Sequence, residues 1–378
     1  RARFLVGADG ARSTVRERLG IAMEGRSLTR HHNVVFRAPG LAARHPHGPA
    51  VMYWLVNGDV PSVVAPLDTG DRWTFGSPRL GDDDDPAAMI RAALAIDVPI
   101  EVLGRDEWTA HQLIAAGYRR GRVFLAGDAC HLHPPFGGFG MNMGIGDAVD
   151  LGWKLSAVLA GWGGPALLDS YEAERREVHR RVVDEAVTNL SHGTPQLFEA
   201  GIEDEGPEGD AVRARVAATI LRTKRREFDS LGIVLGCAYG ASPVIAHEPG
   251  EVAPPDALDY RPSARPGARV PHAWLAPGTA RGASLFDRLA PDGFTLLALQ
   301  GAAQPGVAAF LAAARASGVP LSVLALDDPA LRERCGAGLV LVRPDQHVAW
   351  RGDRVEAPAS LLSRVAGRAP RGDAERTA

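Results

Sequence analysis

Asp128 closes a short apolar run, Val123-Phe124-Leu125-Ala126, and is followed closely by two histidines, two prolines and a cluster of glycines. A run of that kind forms a buried parallel strand, which puts Asp128 at the carboxyl edge of a sheet. Ligands of open α/β sheets bind at that edge, and a carboxylate there accepts hydrogen bonds from the hydroxyls of a ribose or ribityl chain. Pro134-Pro135 then make a stiff turn, and Phe136-Gly137-Gly138-Phe139-Gly140 supplies backbone that a flat group can approach closely. From about Met141 the pattern is helical, with Ile145, Ala148, Val149, Gly152, Leu155, Val158 and Leu159 recurring at helical spacing. The turn therefore presents a helix N-terminus, with free N–H groups and partial positive charge, to the place the acid faces. That suits an anion, either a phosphate or the electron-rich edge of a reduced flavin ring. A glycine-rich turn between a strand and a packed helix is the simpler description of the same residues.

Other reactive residues point less clearly to chemistry. His131 and His133 stand two apart, which is not the spacing of a helical metal pair, and no third ligand cluster accompanies them. Structural hydrogen bonding is their expected role, and no metal site is expected. Cys130, Cys237 and Cys335 are too few and too scattered for a disulfide framework, so a reducing cytoplasm is the default. The charge is 42 minus 45, or -3, which argues against a surface dedicated to nucleic acid or anionic lipid. No apolar stretch is long enough to cross a bilayer, and 378 residues suffice for two or three domains.

The elements that would position these residues follow in order. Phe4-Leu5-Val6 reads as a short buried strand, Ala8-Asp9-Gly10 as a turn, and 13–19 as a helix with Arg12, Arg16 and Arg18 solvated. Strands are expected at 32–37, 50–56, 60–67, 72–77 and 100–108, with a helix at 86–95 after the acidic run 82–85. Trp54, Trp73 and Phe75 could stack on a ring substrate or pack within the sheet. After Gly163-Gly164-Pro165, Asp169 and Glu172 could cap a helix with Leu168, Tyr171, Val178, Val182, Ala186 and Leu190 inward. A further helix at 210–231 would turn Val212, Val216, Ile220 and Leu221 inward and leave Arg222, Lys224, Arg225 and Arg226 in solvent. The proline-rich stretch 249–271 reads as a linker. Beyond it come a strand at 294–299, a helix at 307–316, a strand at 321–326, a hairpin about Pro344-Asp345-Gln346 and a last helix at 357–365.

Gly127, Asp128, His131, Pro134, Pro135, Gly137, Gly140, Asn142 and Asp147 together resemble the second flavin motif of the class A FAD-dependent aromatic hydroxylases, the family built like para-hydroxybenzoate hydroxylase. The stretch 4–16 resembles the family's other internal motif, associated with FAD and NAD(P)H. The region beyond 249 is similar to the thioredoxin-like C-terminal domain of larger members. It has no C-x-x-C, so a packing or homodimer-forming role is expected rather than thiol chemistry.

The resemblance implies an α/β (α+β) fold. Its FAD-binding Rossmann-like domain would comprise 1–26 and 119–193, with an inserted antiparallel substrate sheet at 27–118. Connecting helices would fill 194–248, and 249–378 would hold the linker and thioredoxin-like domain. No G-x-G-x-x-G unit precedes Arg1, so an N-terminally incomplete member is expected.

By resemblance the activity is FAD- and NAD(P)H-dependent monooxygenation of a phenolic or polycyclic, polyketide-type aromatic through a flavin C4a-hydroperoxide. A small aromatic substrate and molecular oxygen are the implied partners. FAD contacts fall to Asp9, Gly10, Gly127, Asp128, Pro135, Gly137, Gly138, Gly140, Met141 and Asn142. Pro135 would stand beside the flavin C4a position, and Phe136 would join Trp54, Trp73 and Phe75 at the substrate. A non-catalytic remnant unable to hold FAD tightly and another flavoenzyme of the superfamily are the alternatives. Cys130 stands where the family has a small alanine, and Gly144 and Gly146, replacing larger residues, are expected to loosen the helix start.

Overall fold

Asn, Asp and Gly at 57–59 and 68–71 cut the valine- and aromatic-rich region into short strands, and the remaining chain alternates strands with long helices. The computed structural model describes residues 1–250, 256–275 and 283–368, and within them the chain forms an α/β fold with three sheets. The first sheet contains β1 (Leu5–Gly7), which leads to α1 (Thr14–Arg18). A six-stranded sheet follows, comprising β2 (Met23–Arg37), β3 (Tyr53–Leu55), β4 (Ser62–Pro66), β5 (Arg72–Gly76), β6 (Glu101–Ala115) and β9 (His131–Leu132). Its order is β3-β4-β5-β2-β6-β9, antiparallel throughout, with α2 (Leu41–Arg44) and α3 (Pro86–Leu94) between strands. β7 (Arg119–Arg120) and β8 (Val123–Leu125) complete the first sheet, in which β1 and β8 run parallel.

Two strands run well past their expected ends. β2 and β6 are each 15 residues long and pair from Met23↔Ala115 to Arg37↔Glu101. Their extensions carry no hydrophobic alternation. They are held by the ladder and by cross-strand polar pairs such as Arg26 with Gln112 (3.2 Å) and Arg30 with Glu107. Periodicity could not show them. At the far end Leu132 pairs with Leu113, so the strand that precedes the glycine turn is welded to this sheet.

α4 (Gly140–Leu159) and α5 (Pro165–Leu190) pack against the first sheet around Tyr118, Phe124, Leu151, Leu168 and Tyr171. The first sheet is less covered than its composition suggests, because Leu5 and Val6 of edge strand β1 are 48% and 42% exposed. Met141, Ile145 and Val149, spaced along one face of α4, are also exposed rather than packed. Arg16, expected in solvent, is instead buried and donates to Ala11 O and Ala129 O, each at 3.1 Å. α5 begins at Pro165, where a proline at the first helical position leaves no donor unmet. Asp169 therefore lies inside the helix and pairs with Arg119 instead of capping.

α6 (Thr194–Leu197), α7 (Gly206–Phe228) and α8 (Leu231–Leu235) follow. Along α7, Val212 and Val216 are buried but Leu221 is exposed, since the inward stripe continues every fourth residue through Ile220 to Lys224.

The third sheet holds β10 (Phe294–Ala298), β11 (Leu321–Ala325), β12 (Leu339–Val342) and β13 (Val348–Gly352), in the order β11-β10-β12-β13. β10 and β11 are parallel, the other pairs antiparallel, and α9 (Val307–Ser317), α10 (Pro329–Cys335) and α11 (Pro358–Val365) complete a thioredoxin-like unit. The short helix α10 was not expected. The proline-rich stretch is no free linker where it is described: Ala264 and Val270 are buried against this sheet, and Arg269 bridges to His347. Its part at 251–255, like the segments 276–282 and 369–378, lies outside the described residues. Among the described residues no helix is long and apolar enough to cross a membrane.

Candidate active site

β1 and β8 are paired in parallel with Gly7 opposite Leu125, so Asp9 and Asp128 leave the same edge of the sheet. Asp128 is exposed, and among the described residues no side chain partners its carboxylate. Asp9 is already engaged. Its carboxylate accepts from Ser13 Oγ (2.5 Å) and the Val15 N–H (3.1 Å), bonds that hold it below the usual carboxylate range and order the turn into α1. Gly10 beside it takes φ +81° with open space at its missing side chain.

The turn before α4 uses glycine where only glycine fits. Gly137 and Gly138 have φ of 96° and 67°, and a Cβ on Gly138 would project into open space. Phe139 is the N-cap of α4 and offers no side-chain cap, so the first-turn N–H groups at Met141 and Asn142 face outward, beside exposed Met141. Asn142 Nδ2 donates to Gly138 O (3.0 Å) and braces the turn. At Gly144 α4 meets the Asp128 loop, where an added Cβ would make ordinary contact, 3.5 Å from Gly127 Cα. Gly146 makes room for the Arg175 guanidinium, 2.6 Å from where its Cβ would be.

Beneath the turn, Asp147 is fully buried and accepts three hydrogen bonds. Oδ2 accepts from the Gly127 N–H (2.9 Å) and His131 Nε2 (3.0 Å), Oδ1 accepts from Arg175 Nε (2.8 Å), and His179 Nε2 lies 3.0 Å from Oδ1. Burial alone would raise this carboxyl, but His179, His131 and Arg175 together hold it well below its ordinary range. Burial, reinforced by His131, pushes His179 down to about 3, so its ring is neutral, and Tyr118 Oη lies 2.7 Å from its Nδ1. Cys130, His131 and Asp147 offer atoms within 4.8 Å of one another, a grouping the linear spacing did not suggest. The positive charge this carboxylate needs is supplied by Arg175.

A cavity of about 670 Å³ opens between the six-stranded sheet, the end of α5 and α7. Pro135 and Phe136 form one wall, Trp54 and Val63 another, and His31 and Trp108 stack 4.4 Å apart in a third. Lys224 is buried, not solvated as expected. Its Nζ lies 4.9 Å from the Trp54 ring, 5.6 Å from the Phe136 ring and 2.8 Å from Glu227 Oε2. Arg226 likewise pairs with Glu185. Trp73 and Phe75 take no part in the cavity. They are 3% and 0% exposed in the core on the opposite face of the sheet, because strand residues alternate sides.

A family model of the FAD binding domain matches residues 1–186, and one of the aromatic-ring hydroxylase C-terminal region matches 263–369. Over 97% of its length the chain is 40% identical to RebC bound to 7-carboxy-K252c, with a TM-score of 0.88 and 69% of that chain covered. The chain belongs to the FAD-dependent aromatic-ring hydroxylases. It is also 36% identical over 97% of its length to the tetracenomycin B2 monooxygenase-dioxygenase of Streptomyces olivaceus, covering 66% of that enzyme. Aklavinone-11 hydroxylase, solved with FAD and aklavinone, matches with a TM-score of 0.76 at 34% identity, over 97% of this chain and 68% of that one. The chain spans about two thirds of the length of the curated relatives it matches, 64% and 66% for two of them.

The donor set of this hydroxylase-family chain fits the flavin its family uses. An unpartnered carboxylate suits a polyhydroxylated chain, open glycine backbone suits a flat ring, and uncapped N–H groups suit that ring's polar edge. Sequence reading missed His31, Trp108, Lys224, Arg175 and His179. Two of these carried a signal. Lys224 continues the 212, 216, 220 stripe of α7, and Arg175 falls within the apolar stripe of α5, between Tyr171 and Val178. A charged residue on an inward stripe is a buried group with a partner.

Proposed function

We propose that the chain carries the ring-binding part of the flavin seat and the aromatic cavity of an FAD- and NAD(P)H-dependent monooxygenase. Its substrate is a phenolic or polycyclic, polyketide-type aromatic, with molecular oxygen as co-substrate. One observation carries the reading: Pro135 and Phe136 wall the 670 Å³ cavity and lead directly into Gly137–Gly140. The seat and the cavity are therefore neighbours, as transfer of an oxygen atom from one ring to another requires. The cavity is also of the size that encloses a drug-sized molecule, roughly 300–1,000 Å³.

Bound FAD, reduced by NAD(P)H, supplies the activated oxygen; the protein binds, orients and excludes water. In this reading Asp128 accepts hydrogen bonds from the ribityl hydroxyls. Pro135, Gly137, Gly138 and Gly140 lie against the ring, with Pro135 beside the reacting position. The Met141 and Asn142 N–H groups and the α4 dipole hold negative charge at the ring edge. Gly127 sets the loop, while Asp9 and Gly10 complete the nucleotide edge through the turn into α1. Trp54 and Phe136 stack on the substrate, their faces reinforced by Lys224. The three free cysteines support a place in the reducing cytoplasm.

Flavin retention tests the reading. After incubation with FAD and removal of free cofactor, the chain is expected to keep a flavin absorption spectrum. With hydroxyarenes it is expected to oxidise NAD(P)H and to place one atom of isotopically labelled dioxygen in the product. A folded but colourless chain would overturn the reading for this chain.

A further inference from the structure

Arg343 follows β12 at the turn that carries Asp345 and Gln346, and Gln346 takes φ 68° to reverse the chain. Its side chain is 0% exposed, and most of its bonds leave its own sheet. Nη1 donates to Glu174 Oε1 (2.7 Å), Nη2 to Glu174 Oε2 (2.8 Å) and Asp150 Oδ1 (2.9 Å), and Nε to Asp345 Oδ1 (3.0 Å). Lys154 Nζ closes the group by donating to Asp150 Oδ2 (2.8 Å) and Glu174 Oε2 (2.6 Å). Asp150 and Lys154 belong to α4 and Glu174 to α5, the two helices that carry the flavin-binding turn and its buried support.

The second observation is adjacency. Asp150 lies one helical turn from Asp147 on α4, and Glu174 directly precedes Arg175 on α5. Asp147 accepts from the Gly127 N–H, at the base of the Asp128 loop, and Arg175 in turn holds Asp147. A helix moves as a stiff body over one turn, so fixing Asp150 and Glu174 also fixes where Asp147 and Arg175 stand. A side-chain route runs in parallel. Tyr239 is buried with its ring 5.2 Å from the Arg343 guanidinium and 4.2 Å from the His347 ring, and its hydroxyl is 3.5 Å from Arg175 Nη1.

We propose that Arg343 is a positioning residue for the Gly127–Asp128 loop, which makes the C-terminal sheet a functional part of the flavin seat rather than a packing or dimer-forming module. A cation from the third sheet sets the separation of α4 and α5 and so the height of the loop that faces the ribityl chain. Removing a guanidinium held by several carboxylates frees both helices to shift, because the carboxyls left behind must find other partners. The proposal rests on the reading of the turn as a flavin seat, but its test uses no flavin.

The experiment is hydrogen exchange of the full chain, read by mass spectrometry, in the wild type, Arg343→Met, Arg343→Lys and the pair Glu174→Gln with Arg343→Met. Exchange in peptides covering 126–147 is expected to quicken on the order of tenfold in Arg343→Met, the scale of a local opening. It should stay several-fold faster in the double variant, where the excess carboxylate is gone but the tie is not restored. Arg343→Lys should lie between, since an ammonium keeps the charge without the fork. Unchanged exchange across 126–147 in all variants, or full rescue in the double variant, would overturn the proposal. In the second case only charge balance would have mattered. Protection across 28–80 shows whether a variant is folded, and if Arg343→Met is not, the other two carry the test. A chain that keeps this exchange pattern yet retains no FAD would sink the functional reading and leave the positioning role standing.

Discussion

The six-stranded sheet has two faces built from the same strands, and they serve opposite ends. On one, Val34, Phe36, Trp73 and Phe75 meet Ile90 and Ala93 of α3 in a wholly apolar core. On the other, His31, Asn33, Trp54 and Trp108 line a cavity that also holds a lysine and a glutamate. Aromatic residues occur on both. What separates a packing tryptophan from a ring-binding one is strand parity, and parity is set by register with the neighbouring strand: Phe75 pairs with Val34, and Gly76 with Asn33.

The largest test of this contrast is Phe75→Ala. Phe75 is 0% exposed, and its truncation should cost about 3–5 kcal/mol in denaturant unfolding, the usual range for a buried phenylalanine. Trp54→Ala should behave in the opposite way. Stability is expected to stay within about 1 kcal/mol of wild type, while the affinity for a planar hydroxyarene, read by tryptophan fluorescence, drops roughly tenfold. Similar losses of stability in the two variants would break the comparison.

The smallest effect is electrostatic, because the cavity face carries His31. Burial, then the neighbouring His32, lowers the pKa of His31 below its ordinary 6.5. The folded state then binds fewer protons than the unfolded one just below that value, so stability falls as the pH drops through 6.5. His31→Gln should remove this loss, an effect of a few tenths of a kcal/mol for a half-buried ring. Thermal melts between pH 7.5 and about 5.5 check it, and an unchanged slope would mean that His31 does not face a desolvated cavity.

Much of the fold could be read along the chain. The glycine turn, the α4 and α5 helices, the short strands β3 to β5 and the C-terminal strand order all follow from punctuation by Gly, Pro and Asp and from hydrophobic period. The long halves of β2 and β6 could not be read so, because their ladder holds polar pairs on both sides. Leu5 and Val6 were misjudged since an apolar run does not say whether its strand is at an edge. Nor could spacing show that Gly146 makes room for the Arg175 guanidinium, a neighbour remote in sequence.

What the sequence determined by itself is local: a strand ending in Gly127-Asp128, a stiff turn, glycines at positive φ and a helix whose first N–H groups are free. These depend on the covalent character of adjacent residues, so their spacing suffices. The tertiary structure decided which faces meet and which charges are buried together. Arg343 and Asp150 are 193 positions apart, and Lys224 looks like one member of a basic surface patch until Trp54 and Phe136 close over it. A buried charge takes its partner from whatever the packing brings within hydrogen-bond reach, and no periodicity encodes that meeting.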